Sequence, residues 1–147
     1  MRVSQKTEYA LRAMLELARQ AGQPNPVRTA EIARNQNIPE KFLELILVEL
    51  RRSHLIVSQR GMLGGHRLAR AAETISVGEI WRTIEGSADD SLRDGNAADA
   101  RRSSAGNPFG YVWVQVNRAV DEIVNGISLE EIRQRSESGQ SVADFAI

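Results

Sequence analysis

A thirteen-residue stretch near the middle of the chain, SQRGMLGGHRLAR at residues 58–70, combines glycines with arginines. Glycine lets a backbone come close to a phosphate, and the arginine guanidinium binds phosphate through paired hydrogen bonds. Three kinds of site fit this composition: a phosphate cradle for a nucleotide, a basic hairpin that enters a DNA groove, and an ordinary turn with exposed arginines. The elements on either side of the stretch must distinguish between them.

The spacing of the glycines argues against the nucleotide cradle. The segment GMLGGHR fits neither GxGxxG nor GxxxxGK[ST], and β-type runs, LIVSQ and HRLA, lie on both sides of it. Nucleotide-binding loops join a strand to a helix instead. Two strand-like runs joined by a glycine-rich turn predict a hairpin. Taken alone, these residues still leave the ordinary turn open.

The residues before the hairpin have the periodicity of helices. Residues 5–20 predict a first helix with Ser4 as a suitable N-cap, and the breaker AGQPNP ends it. A short second helix capped by Thr29 follows, and NQN then makes a turn. Pro39 begins a third helix, whose buried stripe has the spacing i, i+3, i+4, i+7: Leu43, Ile46, Leu47 and Leu50.

A short helix, a turn, a second helix and a basic hairpin occur in this order in a winged helix-turn-helix. In that fold the second helix enters the major groove of DNA. The recognition surface would be the exposed face of the helix over 39–52: Glu40, Lys41, Glu44, Leu45 and Val48. Lysine donates to guanine or phosphate, glutamate accepts from the cytosine amino group, and leucine contacts the thymine methyl. A solvated helix face of mixed charge is the alternative interpretation.

The hairpin over 56–70 would be the wing. Arg60 at its tip carries the charge to enter a minor groove, where the potential is negative. Tight turns and close approach to phosphate are expected at three glycines: Gly61, Gly64 and Gly65. Other cations placed to bind phosphates are Arg51, Arg52, Arg67 and Arg70. Two further residues complete the candidate DNA-binding set: Arg28 and Ser58.

The composition agrees with a polyanion partner and leaves little material for catalysis. Lys and Arg outnumber Asp and Glu by 12 to 6 in residues 1–70, whereas the ratio is 7 to 13 in residues 71–147. The chain has two histidines and no cysteine, which excludes disulfides, thiolate zinc sites and a cysteine nucleophile. No Ser/His/Asp set or phosphate loop stands out, so we do not expect an enzyme.

The hydropathy pattern contains neither a membrane span nor a signal peptide. No apolar run approaches the roughly 20 residues that cross a bilayer. Glu8 and Arg12 interrupt any apolar core near the N-terminus. We therefore expect a cytoplasmic protein without a membrane partner.

The second half of the chain combines a polar segment with an apolar helix. Residues 86–107 contain one large apolar residue, Leu92, and predict a flexible loop. A helix from Pro108 follows, whose apolar residues alternate at spacings of four and three: Phe109, Trp113, Val116, Val120, Ile123 and Ile127. This seam packs either on the chain's own first domain or on the same helix of a second copy. We favour a homodimer, because one small domain rarely covers such a stripe.

The predicted fold class is mainly α: a winged helix-turn-helix with a small β-hairpin wing and a long C-terminal dimerisation helix. The first domain spans 1–85 and binds DNA, and the flexible loop spans 86–107. The dimerisation helix and a short following helix span 108–135, and the tail spans 136–147.

With these elements in place, the sequence resembles the Rrf2 family of bacterial winged-helix transcriptional regulators. The family includes regulators of iron–sulfur cluster assembly, nitric-oxide sensing and cysteine metabolism. Four segments carry the resemblance: SQKTEYALRAMLELA, RTAEIARNQNIPEKFLELILVELRRSHLIVSQRGMLGGHRLAR, ISVGEIWRTIEG and VWVQVNRAVDEIVNGISLEEI. The resemblance implies a homodimer on a roughly palindromic DNA site, with these residues facing the DNA: Thr29, Lys41, Phe42, Glu44, Leu45, Arg60, Gly61, Gly64 and Gly65.

One feature of that family is missing from this sequence. Sensor members hold an iron–sulfur cluster with three cysteines in the loop before the dimer helix, and residues 86–107 contain none. We therefore expect no cofactor and no metal site. Some members add an acidic ligand from the first helix, and Glu8 stands at the matching place, but a surface glutamate is the simpler interpretation. Control would then come from an unidentified small molecule, for which Trp81 and Trp113 could line a pocket.

The predicted function is a homodimeric, sequence-specific DNA-binding regulator of transcription that acts as a repressor. Its recognition helix over 39–52 would lie in the major groove, and its arginine-tipped wing over 56–70 in the minor groove. The alternative is a winged-helix module that docks a partner enzyme through protein contacts.

Overall fold

The structure is a computed structural model that describes residues 3–88 and 106–139. Over these ranges the chain forms six α-helices, one two-stranded hairpin and one short 3₁₀ turn. The elements in chain order are α1 Gln5–Arg19, α2 Thr29–Gln36, α3 Glu40–Arg52, β1 Ile56–Gln59, β2 Gly65–Leu68, the 3₁₀ turn Ala72–Thr74, α4 Val77–Ala88, α5 Gly110–Asn125 and α6 Leu129–Glu137. The predicted mainly α fold with a small hairpin is confirmed.

The first helix is the centre of the core. It packs against α2, α3, α4 and α6. Its buried side chains include Ala10, Ala13, Met14 and Leu17, and those of α3 are the four of the predicted stripe: Leu43, Ile46, Leu47 and Leu50. Because this stripe faces α1, the opposite face of α3 is turned to solvent.

Three serines serve as N-caps of helices, since a serine hydroxyl can accept a hydrogen bond from a backbone N–H of the first turn. The hydroxyl oxygens of Ser4, Ser76 and Ser128 each accept a hydrogen bond from the N–H three residues later, at 3.0–3.1 Å. The prediction that Thr29 caps α2 is wrong. Thr29 is the first residue of that helix, Arg28 is its N-cap, and no side chain caps it.

The turn between α2 and α3 depends on a left-handed residue. Asn37 ends α2 with φ 53°, a conformation that asparagine tolerates better than most residues. The next residue, Ile38, is buried, and its N–H donates to the Ala33 carbonyl at 2.9 Å. This turn fixes the angle between the two helices of the helix-turn-helix. Pro39 then serves as the N-cap of α3 instead of its first helical residue.

Two backbone hydrogen bonds attach the segment between α5 and α6 to the start of α4. The N–H of Val77 donates to the Ile127 carbonyl at 2.9 Å, and the N–H of Leu129 donates to the Ile75 carbonyl at 2.8 Å. The Leu129 side chain is buried in the core. The short helix α6 is therefore part of the first domain's packing.

Predicted boundaries in the second half of the chain differ from the structure. Helix α5 begins at Gly110, two residues after the predicted start at Pro108. Helix α4 continues to Ala88, so residues 86–88 are helical although the polar composition predicts a loop. Helix α6 continues to Glu137, two residues into the predicted tail. The other residues of the predicted loop up to 105, and residues 140–147 of the tail, lie outside the described ranges. Among the helices described, none is both long and apolar enough to cross a membrane.

Candidate nucleic-acid interface

The outer face of α3 presents the predicted recognition residues to solvent. Glu40, Lys41 and Glu44 are exposed, and Leu45 is 63% exposed although it is apolar. Val48 is half-buried at the edge of the same face. The opposite stripe anchors the helix in the core, so this face is a rigid surface that combines donors, acceptors and a methyl-bearing side chain.

Phe42 has a different role from its neighbours on α3. Its ring is half-buried and meets the edge of the Tyr9 ring, with 5.6 Å between the ring centroids and 77° between their planes. A perpendicular aromatic pair of this kind stabilises packing. Phe42 therefore positions α3 on α1, and an ion pair between Lys6 and Glu49 at 2.6 Å joins the same two helices.

The wing is an antiparallel hairpin with a defined register. Ile56 is opposite Leu68, and Gln59 is opposite Gly65. At the turn, Arg60 and Gly61 are exposed, and Gly61 has φ 105°, which suits glycine. Two large apolar side chains, Met62 and Leu63, are exposed at the same tip, at 87% and 69%.

Two glycines allow the wing to fold tightly and to lie against α2. A Cβ on Gly64 would come within 2.8 Å of the Gly61 carbonyl oxygen. A Cβ on Gly65 would come within 2.6 Å of the Val27 carbonyl oxygen, and Gly65 also has a positive φ of 152°. Both glycines thus serve the internal packing of the hairpin, and their close approach to phosphates stays a prediction.

A backbone bridge joins the wing to the segment before α2. The N–H of Val27 donates to the His66 carbonyl at 2.9 Å, and the N–H of His66 donates to the Val27 carbonyl at 2.8 Å. The Arg28 guanidinium donates to the Met62 carbonyl at the wing tip. One cleft results, lined by Arg28, Thr29, Ala30, Gln59, Gly61, Gly64, Gly65 and His66.

The His66 ring joins two predicted DNA-binding hydroxyls inside this cleft. Its Nε2 lies 2.9 Å from Thr29 Oγ1, and its Nδ1 lies 2.7 Å from Ser58 Oγ. Thr29 is the first helical residue of α2, and its hydroxyl meets the His66 ring. Burial, with a smaller effect from the nearby charge of Arg51, holds the pKa of His66 below its ordinary value.

Two predicted phosphate-binding arginines are engaged elsewhere. Arg67 donates to the carbonyls of Gln23 at 3.0 Å and Pro24 at 2.5 Å, which ties β2 to the loop after α1. Arg70 pairs with the Glu79 carboxylate and donates to the Thr74 carbonyl at 3.2 Å. The phosphate-binding role of these two side chains stays a prediction. Arg51, Arg52 and Arg60 are exposed and remain candidates.

A buried carboxylate holds α2 in place behind this surface. Glu16 of α1 is 5% exposed and accepts hydrogen bonds from Gln20, Asn35 and Gln36 at 2.7–2.8 Å. Burial would raise the pKa of Glu16. The three amide donors and the Arg19 charge outweigh this effect, so the pKa lies below its ordinary value.

The outer surface of α5 is unusually apolar. Phe109, Trp113, Val116 and Ile123 of the predicted dimerisation seam are 46–65% exposed, whereas Val120 and Ile127 are half-buried. Helix α5 packs against α4. This single chain therefore leaves most of the seam uncovered.

The side chains do not fit an iron–sulfur cluster. The irons of such clusters are normally held by thiolates, and this chain has no cysteine. Glu8 is exposed on α1. Over the part of the chain that the structure describes, no three His, Cys, Asp or Glu residues are grouped as a metal site requires.

The two tryptophans predicted to line an effector pocket lie on the neighbouring helices α4 and α5, and the pocket itself stays a prediction. Trp81 is half-buried on α4, and Trp113 is 61% exposed on α5. A cavity does lie at the N-terminal end of α5, but other residues line it, among them Pro108, Tyr111, Val114 and Arg118.

Sequence reasoning missed the role of His66. Its strand position opposite Ser58 follows from the hairpin register, so an analysis of cross-strand pairs would have found that contact. The contact with Thr29 depends on the one-residue bridge to Val27. A bridge of that length leaves no periodic pattern in the sequence.

Comparisons with known proteins agree with this geometry. The model of the Rrf2 family, described as an iron-dependent transcriptional regulator, matches residues 3–135. The HTH-type transcriptional regulator CymR of Bacillus subtilis is 30% identical over an alignment of 149 residues that covers 100% of both chains.

Two solved structures are similar over nearly their whole length. The IscR of T. potens has a TM-score of 0.73 and 32% identity, and the match covers 96% of this chain and 92% of that one. CymR of B. subtilis, titled the global cysteine regulator, has a TM-score of 0.71 and 27% identity, with 91% and 97% covered. The relatives are regulators of transcription and not enzymes.

Proposed function

The chain belongs to the Rrf2 family of transcriptional regulators, and we propose that it is a homodimeric, sequence-specific DNA-binding repressor that acts without an iron–sulfur cluster. The observation that carries this proposal is the exposed face of α3 beside a wing that a backbone bridge ties to the segment before α2. Each part is anchored from behind, so the surface is organised before DNA arrives.

In this proposal, α3 lies in the major groove. Lys41 donates to guanine or to phosphate, Glu44 accepts from cytosine, and Leu45 contacts thymine methyls. The negative charge of Glu44 is unfavourable near phosphates, so this residue acts mainly by excluding the wrong bases. Arg52 at the C-terminal end of α3 pairs with the backbone beside the groove.

The wing and the N-terminus of α2 bind the sugar-phosphate backbone. The helix dipole and the first-turn N–H groups of α2 favour an anion at the cleft between them. Arg60 extends from the wing towards the minor groove, where negative potential is concentrated. Arg28 holds the wing tip through the Met62 carbonyl and so sets where Arg60 lies.

Dimerisation through α5 supplies the second half of the recognition surface. The exposed seam supports this proposal, because a surface of several large apolar side chains on one helix normally indicates an interaction site. Two copies related by a two-fold axis read a roughly palindromic site. Bound at a promoter, the dimer represses by blocking access to the DNA. An unidentified small molecule is the proposed signal, since the side chains present do not fit a cluster.

A second function has one observation in its favour. Met62 and Leu63 expose large apolar side chains at the wing tip, as expected of a module that docks a partner protein. Competitor DNA would not displace such a protein partner. A protein–DNA complex, by contrast, dissociates when competitor DNA or salt is added.

The test is selection of duplexes from a random DNA library by the purified protein with no cofactor added. We expect one roughly palindromic motif, with an affinity that falls steeply as salt rises. Arg60→Ala should weaken binding and reduce the slope of log K against log salt by about 1. Glu44→Ala should change the bases tolerated in the motif.

Arg133→Ala is the matched control, because this arginine pairs with Glu130 and Glu137 of its own helix α6. The control should bind like the wild type. Recovery of no motif, or equal losses in Arg60→Ala and Arg133→Ala, would contradict the proposed interface.

A further inference from the structure

His66 is held at the joint between the wing and the helix-turn-helix by four hydrogen bonds. Its backbone makes two of them with Val27, and its ring makes the other two with Thr29 and Ser58. Thr29 begins α2 and Ser58 belongs to β1, so the ring connects elements that are far apart in sequence. Movement of the ring would break both of its hydrogen bonds.

The protonation state of this ring decides which way the two hydroxyls point. A neutral imidazole has one N–H donor and one acceptor nitrogen, so one of the two hydroxyls must direct its proton at the ring. An imidazolium has two N–H donors, and both hydroxyls then accept from it. Both hydroxyl protons are thereby free to be donated outwards, where phosphate oxygens accept such bonds.

The surroundings favour the neutral ring in the free protein. The positive charge of Arg51 on α3 acts on the ring. Three further arginines line the two cavities that His66 borders: Arg28, Arg67 and Arg70. No carboxylate lines either of the two cavities that His66 borders. Burial first, and the Arg51 charge second, lower the pKa of the His66 ring.

A DNA backbone would reverse this balance. Phosphates beside the cleft add negative charge and offset that of Arg51, and both effects favour the imidazolium. We infer that His66 is a positioning residue for the Thr29 and Ser58 hydroxyls, and that DNA binding is coupled to uptake of a proton by its ring. This inference rests on the proposed function, since it needs DNA at this surface.

Proton uptake makes DNA affinity depend on pH with a definite sign. Because the bound state holds the proton more tightly, affinity rises as pH falls through the window between the bound and the free pKa of the ring. A pKa that is higher by about one unit in the complex gives an affinity up to about tenfold higher below that window than above it.

The experiment measures DNA affinity by fluorescence anisotropy from about pH 8 to about pH 5.5 at constant salt. The probe is a labelled duplex of about 30 base pairs that carries the motif selected by the wild-type protein. His66→Gln retains hydrogen-bonding capacity but cannot become charged in this range. His54→Gln is the matched control, because His54 is an exposed histidine in the turn after α3.

As pH falls, the DNA affinity of the wild type and of His54→Gln should rise roughly three- to tenfold. His66→Gln should lack this rise. In parallel, NMR titration of the His66 imidazole should show a higher pKa in the complex than in the free protein. Unfolding curves of His66→Gln above pH 7 establish that the variant is folded.

The outcomes separate the inference from the function on which it rests. Saturable DNA binding with the same pH dependence in the wild type and in folded His66→Gln overturns the inference alone. So does an imidazole titration that DNA leaves unchanged. Failure of the wild type to bind any duplex at any pH overturns both this inference and the proposed function.

Discussion

Replacement of Ile123 by aspartate should separate the proposed dimer into monomers. Ile123 lies near the C-terminal end of the α5 seam, and its side chain is 62% exposed in the single chain. Full burial of an isoleucine contributes about 1.5–3 kcal/mol. The part still exposed here therefore contributes ~1–2 kcal/mol for each copy, if a second α5 covers it.

Each dimer contains two copies of the residue, so the substitution should weaken association by ~2–4 kcal/mol. This corresponds to a dissociation constant raised about 30- to 700-fold. Burial of an unpaired carboxylate adds to the loss, which makes the estimate a lower bound. The measurement is sedimentation equilibrium over a dilution series, with circular dichroism to show that the variant retains its helices.

Leu45→Asp is the matched control for this substitution. Leu45 is also a large apolar residue, it is 63% exposed, and it lies on the recognition face of α3. The control should remain dimeric. An unchanged dissociation constant in Ile123→Asp, or a monomeric wild type at every concentration, would refute the reasoning from the exposed seam.

Two further predictions concern the supports of the recognition surface. Gly65→Ala would place a Cβ 2.6 Å from the Val27 carbonyl oxygen, so thermal unfolding should show a loss of about 1–3 kcal/mol in the free energy of unfolding. Gly22→Ala is the control and should change stability little, because nothing lies within 4 Å of its Cβ. Equal stabilities of the two variants would contradict the close approach. Glu16→Gln should cost about 1–3 kcal/mol in urea unfolding at neutral pH, because an amide donor would then face other amide donors, and exposed Glu8→Gln should change stability by about 0.5 kcal/mol or less. Because the folded-state pKa of Glu16 is depressed, its contribution to stability is present above the ordinary carboxyl value of 4.5 and is lost as pH falls through the folded pKa. The difference in unfolding free energy between wild type and Glu16→Gln should therefore narrow in acid. A difference independent of pH would argue against this role.

Local patterns predicted the helices well, because the cause of each helix lies within its own residues. The stripe from Leu43 to Leu50 is buried as its periodicity indicates. Ser4 caps α1, since a serine hydroxyl needs only the N–H three residues later. The strand, turn and strand pattern also gave the antiparallel hairpin.

Local patterns did not predict the contacts that a long or polar side chain makes with a distant partner. Arg67 is charged and sits in the wing, but its guanidinium reaches back to the carbonyls after α1. Thr29 had the composition of a cap, yet His66 lies close enough to take its hydroxyl. Sequence gives the charge of such a side chain, whereas the tertiary fold decides its direction.

The predicted dimer and the predicted small-molecule signal each depend on a molecule other than one copy of this chain. The exposure of Trp113 agrees with a dimer seam, but a single chain contains no partner that would test it. An effector likewise depends on a cavity that the monomer need not contain. Both therefore remain proposals to be tested in solution.

The tie between α4 and α5 has a mechanical consequence for the proposed dimer. A Cβ on Gly78 would collide with the Asn125 side chain and approach Val124 Cγ2 to 3.0 Å, and Arg82 donates to Asn125 Oδ1 at 2.6 Å. The side chains of Asn125 and Val124 thus pack directly over the Gly78 backbone, at the C-terminal end of α5. The helix has 16 residues and so extends ~24 Å as a lever arm. A tilt of about 5° at this contact would displace its far end by about 2 Å. In the proposed dimer, the close packing that Gly78 allows would therefore influence the distance between the two recognition surfaces.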